Sequence, residues 1–175
     1  MMAAVQRVRQ GLRALFAFSH QVDYQLVAQY LSDKQMGLFR KMSKAEQLHS
    51  LNVLRDVLAQ GPHTPHELAV AALLHDVGKI RCQVTILEKT MGVLIKRFLP
   101  GLFRRWAEHD TIKWWKRAIV MMTYHPMWGA QEAQAVETSP KVVWLIAHHA
   151  DALEHWQGHP DYDLLHRLKL ADDAN

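Results

Sequence analysis

The 175-residue chain is 49% hydrophobic and 22% charged, with eight Gly and six Pro. This composition excludes a disordered, collagen-like or low-complexity chain and leaves enough apolar material for one core of ordinary size. Lys and Arg number 21 against 17 Asp and Glu, a net charge of +4, which suits anionic ligands without calling for nucleic acid.

In chain order, residues 1–18 read as a basic amphipathic helix carrying Arg7, Arg9 and Arg13, without an export or anchoring signal. No stretch approaches the roughly 18 uncharged apolar residues of a membrane span. Ser43 with Glu46, Thr64 with Glu67, and Thr85 with Glu88 are capping-box patterns, the second followed by Pro65 at the first helical position. Pro126 and Pro140 read as further helix starts, with Thr138 and Ser139 ahead of the latter, and Asp110 and Asp161 as caps of two more. Breaks fall at Gly61-Pro62, Gly78, Pro100-Gly101 and Gly158 to Pro160, none long enough for an interdomain linker. The alternation of a strand is nearly absent, so the expectation is an all-α fold of about eight to ten helices.

Cys82 is the only cysteine, which excludes an intrachain disulfide and a Cys-based zinc site, fits a reducing cytoplasm, and reads as an inert buried thiol. Two segments are apolar nearly all round, Glu67 to Asp76 and Lys141 to Asp151, as central helices of a bundle are. Both end in histidine and aspartate, which are costly to bury unless paired or bound to metal. His75, Asp76 and Lys79 surround the Gly78 break, and imidazole with carboxylate suits Mn²⁺, Fe or Zn²⁺. His49 shares a helical face with Val53 and Val57, which turns its ring toward the core. His125 precedes Pro126, the pair His148-His149 follows the apolar run Val142 to Ile146, and Asp172, on one stripe with Leu165 and Leu168, is the inward carboxylate rather than Asp173. His20, His63, His66, His109, His155, His159 and His166 lack such context and read as surface or loop residues.

The order His, His-Asp, His, His, Asp, with HDxGK at residues 75–79 and HPxxGA at 125–130, resembles the HD-domain superfamily of metal-dependent phosphohydrolases, HDIG-type and related to the HD-GYP branch. The GYP signature is missing, and Ala45 stands where three-metal members carry a glutamate, so neither hydrolysis of cyclic di-GMP nor a third metal is expected. The resemblance implies one all-α HD domain over 1–175. Helices within 1–35 pack on it, 40–173 form its core, and 84–118 form a helical insertion. It implies two divalent metals, Mn or Fe first, with Zn, Ni, Co or Mg as alternatives. His49, His75, Asp76 and Asp172 would hold one, and Asp76 would bridge to a second held by His125 and His148 or His149. A bridging hydroxide would attack a phosphomonoester or phosphodiester, of a nucleotide by analogy, with Lys79 as electrophile.

The insertion, from Met91 to Trp115, is read first as a hairpin packed on the core with Lys and Arg turned outward. A lid over the substrate and a contact with acidic lipid are the alternatives. Two other functions stand beside the hydrolase: a di-iron oxygenase similar to inositol oxygenase, and an HD fold that binds a nucleotide without turnover. The expected setting is cytoplasmic, with a small phosphorylated partner and no nucleic acid.

Overall fold

The computed structural model describes residues 21–109 and 111–175. The N-terminal basic run, His20 and the Asp110 cap lie outside them. In chain order come α1 (Tyr24–Ala28), α2 (Asp33–Phe39), α3 (Lys44–Ala59), α4 (His66–Leu74), a 3-10 turn at Val77–Arg81, α5 (Ile86–Phe98), α6 (Pro100–Ala107), α7 (Arg117–Ala135), α8 (Pro140–His148), a second 3-10 turn at Leu153–Trp156, and α9 (Tyr162–Ala174). The described residues contain no strand, as expected of an all-α chain, and their nine α-helices fall within the expected number. No helix among them is long and apolar enough to cross a membrane.

Helix starts follow local chemistry where that chemistry is free to act. Ser43 with Glu46 and Thr85 with Glu88 form capping boxes, and Ser139 caps α8 ahead of Pro140. The third capping box is at Ser32 and Gln35. Thr64 does not cap α4: its hydroxyl donates to the Val57 carbonyl at 3.3 Å and accepts from Arg167 Nη2 at 3.1 Å, so it ties α3 to α9 instead. Asp161 stands at the N-cap of α9, but its carboxylate holds Lys141 Nζ at 3.1 Å. Pro126 does not begin a helix; it lies inside α7. The hydrogen bond it removes is one of many in a 19-residue helix whose flanks, Ala118 to Met121 and Trp128 to Ala130, are held by burial.

At the centre runs α4, whose residues Leu68 to Leu74 are all buried, between α3, α8 and α9. Helix α7 packs on α8 and lies along the first 3-10 turn, and the α5–α6 hairpin leans on α7. Where α5 meets α7, Gly92 fits against Ala118 and Met122 and Glu88 receives a bond from Arg117 Nη2 at 2.7 Å; where α6 meets α7, Tyr124 donates to the Ala107 carbonyl at 2.8 Å. Helices α5 and α6 form a hairpin, and its apolar residues are not all turned inward. Leu87, Leu94, Phe98 and Leu99 are exposed.

Candidate metal centre

Five elements converge on one buried point. Helix α3 brings His49, whose stripe neighbours Val53 and Val57 are fully buried. Helix α4 ends in His75 as C-cap, and Asp76 follows in the bridge region of backbone space at φ −93° and ψ 2°, which turns the chain into the 3-10 segment. Helix α7 supplies His125, the C-cap of α8 supplies His149, and the last turn of α9 supplies Asp172.

Asp76 divides the cluster. Its Oδ2 faces His75 Nε2 at 3.5 Å and His49 Nε2 at 3.7 Å and contacts Lys79 Nζ; its Oδ1 faces His125 Nε2 at 3.4 Å and His149 Nε2 at 3.9 Å. Asp172 Oδ1 closes the first side, 3.0 Å from His49 and 3.5 Å from His75. Two overlapping groups result, His49-His75-Asp76 and Asp76-His125-His149. Within each, the ligand atoms lie within 4.8 Å of one another.

The histidine tautomers follow from their partners. The Nδ1 atoms of His75, His125 and His149 lie 3.0, 3.0 and 2.8 Å from the carbonyls of Ala72, Met121 and Ile146. A carbonyl only accepts, so each Nδ1 carries a hydrogen and each Nε2 is the nitrogen turned inward, able to give a lone pair whenever it carries no proton, the arrangement that orients imidazole ligands. His75 Nε2 is fully buried without a hydrogen-bond partner. An orphaned imidazole nitrogen, flanked by two carboxylates and aimed at a point that three other imidazoles approach, fits a divalent cation chemically.

The electrostatics of the protein alone reinforce the fit. Burial pushes the His75 imidazole down, but Asp76 and Asp172 outweigh it and hold the pKa at about 9. His149 is driven to about 3 by burial and by the positive charge of His75 and His125. Burial also raises the two carboxyls, yet Lys79, His75 and His125 hold Asp76 well below its ordinary range, and His49 and His75 do the same for Asp172. Carboxylates kept charged next to one imidazole kept neutral and another kept protonated form a site that a cation would relax.

Of the residues singled out in the sequence, His49, His75, Asp76, His125, His149 and Asp172 are brought together, and Asp173 stays exposed. His148 is not brought in. At the last residue of α8 its Nδ1 bonds Asp151 at 2.8 Å and its ring packs 4.0 Å from Trp156, which turns it away from Asp76. Lys79 sits against Asp76, and its ammonium, opposed by burial, is held in its charged form by that carboxylate. His159, expected on a solvated turn, stacks on Trp144 at 3.8 Å and accepts from the Asp161 amide. Cys82 is buried as expected, and burial pushes its thiol pKa up. One charged group was not foreseen: Lys89 of α5, whose ammonium is lowered first by the neighbouring charge of Lys79 and then by burial, with Asp76, Glu46 and Asp172 opposing. The sequence carries no signal for it, because Lys79 and Lys89 belong to separate elements.

No curated protein and no solved structure matches the chain. Residues 48–174, which run from the residue before His49 to the end of α9, match the HD domain. The order of these His and Asp side chains, the helices that carry them and this match agree, and the chain belongs to the HD-domain family.

Proposed function

We propose that this chain is a metal-dependent phosphohydrolase that cleaves a phosphomonoester or phosphodiester, with a nucleotide as substrate and Mn²⁺ or Fe as the metal. HD domains are typically metal-dependent hydrolases. The observation that carries the reading is Asp76, one oxygen 3.5 and 3.7 Å from two imidazoles and the other 3.4 and 3.9 Å from two more. In this reading His49, His75, Asp76 and Asp172 hold one cation, and Asp76, His125 and His149 the second. Bound there, a pair of divalent cations supplies acidified water and neutralises charge on phosphoryl oxygens.

The chain's own residues do the rest. The three Nδ1 bonds to main-chain carbonyls hold the imidazoles in one orientation and leave them little to reorganise. Lys79 has no lone pair to give a metal. Its ammonium instead turns from Asp76 to a non-bridging phosphoryl oxygen, whose charge grows in the transition state. Lys89, near enough to Lys79 for the like charge to lower its pKa, would add a second cation for an anionic ester. The nucleotide itself rests on analogy among HD domains.

Metal analysis of anaerobically purified protein, followed by a panel of phosphomonoesters and phosphodiesters with added Mn²⁺ or Fe²⁺, tests the proposal. Metal-dependent turnover that disappears in Asp76→Ala supports it. Iron-dependent uptake of O₂ with no ester cleaved would replace it with an oxygenase, and nucleotide binding with neither activity would replace it with a binding module.

A further inference from the structure

The α5–α6 hairpin turns apolar side chains outward in an ordered way. Leu87, Met91, Leu94 and Phe98 recur at i, i+4, i+7 and i+11, which sets them in one stripe along α5. All four are exposed, Leu87 at 73% and Phe98 at 71%. Another side of the helix is already committed, with Gly92 against Ala118 and Met122 and Glu88 on Arg117, so α5 cannot roll to bury the stripe without losing those contacts. In the loop beyond the hairpin, Trp114 is 78% exposed. Single exposed apolar residues are ordinary, but a continuous stripe of them marks an interaction surface.

Cations accompany the stripe. Residues 86–117 hold eight Lys and Arg against three Asp and Glu, an excess larger than that of the whole chain. Three of them lie over aromatic rings: Lys96 Nζ is 5.6 Å from the Phe103 centroid, Arg97 5.9 Å from Phe98, and Lys113 5.3 Å from Trp115. Exposed aliphatic and aromatic groups interleaved with long cationic side chains suit the boundary between acyl chains and lipid phosphates. Rings and methyl groups enter that boundary while ammonium and guanidinium groups stay at the headgroups.

Charge selects among occupants. A second copy would set this cationic surface against itself. Residues 1–20, which carry Arg7, Arg9 and Arg13 and no acidic side chain, would bring like charge as well. We propose that the α5–α6 hairpin docks the protein on an anionic lipid bilayer, with the Leu87–Phe98 stripe inserted and Arg104 and Arg105 on the lipid phosphates. The proposal does not depend on the reaction at the metal centre.

Co-sedimentation of the full chain with phosphatidylcholine vesicles, and with vesicles holding about a third phosphatidylglycerol, tests it. Binding to the anionic vesicles should exceed binding to the neutral ones by about tenfold or more and fall as salt is added. Leu87→Ser with Phe98→Ser, and separately Arg104→Glu with Arg105→Glu, should each reduce it by about tenfold with the thermal midpoint unchanged. Binding to neither vesicle, equal binding to both, or binding that survives both double variants overturns the proposal. Light scattering identifies the replacement: a dimer that Leu87→Ser with Phe98→Ser dissociates would make the stripe a contact between copies. A lowered thermal midpoint in that variant without vesicle binding would make residues 1–20 its cover.

Discussion

A Cβ built on Gly78 would lie 1.9 Å from the carbonyl oxygen of His125. The same atom would be 2.5 Å from the Gly129 nitrogen, so the turn after Asp76 rests directly on the main chain of α7. The glycine of the HDxGK motif is therefore a site of close approach as well as a helix end, and it lets Asp76 Oδ1 come within 3.4 Å of His125 Nε2.

Gly78→Ala should push the turn off α7, because the obstructing atoms are backbone and cannot rotate aside. The expected loss is about 3 kcal/mol in chemical denaturation, together with weaker metal binding. Gly37→Ala, in the exposed face of α2 with nothing within 4 Å of an added Cβ, should instead gain up to about 1 kcal/mol. Equal effects at the two positions would show that the close approach does not matter.

His148 and His149 separate by metal content. His149→Ala removes an imidazole facing Asp76 and should lower the bound metal per chain. His148→Ala breaks the bond to Asp151 and should cost about 1 kcal/mol of stability with metal content intact. Elemental analysis of both variants checks the assignment, and a metal-depleted His148→Ala would reverse it.

Lys79 answers to both of its settings. Without metal it is the cation nearest Asp76 Oδ2, so Lys79→Ala leaves a buried carboxylate short of a partner and should lower stability by about 3 kcal/mol. Loading with Mn²⁺ should recover most of that loss, whereas kcat/KM on a phosphoester should stay about a hundredfold down. A variant that regains its rate with its stability would mean that Lys79 serves only to neutralise Asp76.

Glu88 gives a pH signature to the junction of α5 and α7. Its bonds from Arg117, and then those from Thr85, hold its pKa at about 2 against an ordinary 4.5. A carboxyl depressed by folding adds stability above the unfolded value and loses it as pH falls toward the folded one. The gap in urea midpoint between wild type and Glu88→Gln should accordingly be constant above pH 4.5 and close between 4.5 and about 2. A gap that ignores pH would mean that the carboxylate charge contributes nothing.

What the sequence makes legible is what neighbouring residues decide. Ser43 and Thr85 cap their helices because Glu46 and Glu88, three residues on, answer them. The stripes of His49 and Asp172 point inward because their helical neighbours are apolar. Thr64 fails as a cap through Arg167, 103 residues away, a partner that no window around residue 64 contains. His148 and His149 follow the same apolar run and diverge only because Asp151 lies beyond the helix end, within reach of one ring and not the other. The periodicity of α5 is visible in the sequence, but which side meets α7 is decided by Gly92, whose lack of a side chain carries weight only once Ala118 and Met122 are set against it.

The carbonyls that receive the inward histidines' Nδ1 hydrogens belong to Ala72, Met121 and Ile146, each within four residues of the ring that it holds. Substitution replaces side chains and leaves these acceptors in place, so the choice of nitrogen presented to the centre is shielded from most single mutations. A neighbouring charge can be gained or lost, and proton affinities will drift with it, without re-addressing the donor atoms. Sequence drift can then tune how tightly such a centre binds long before it alters what it is built to hold.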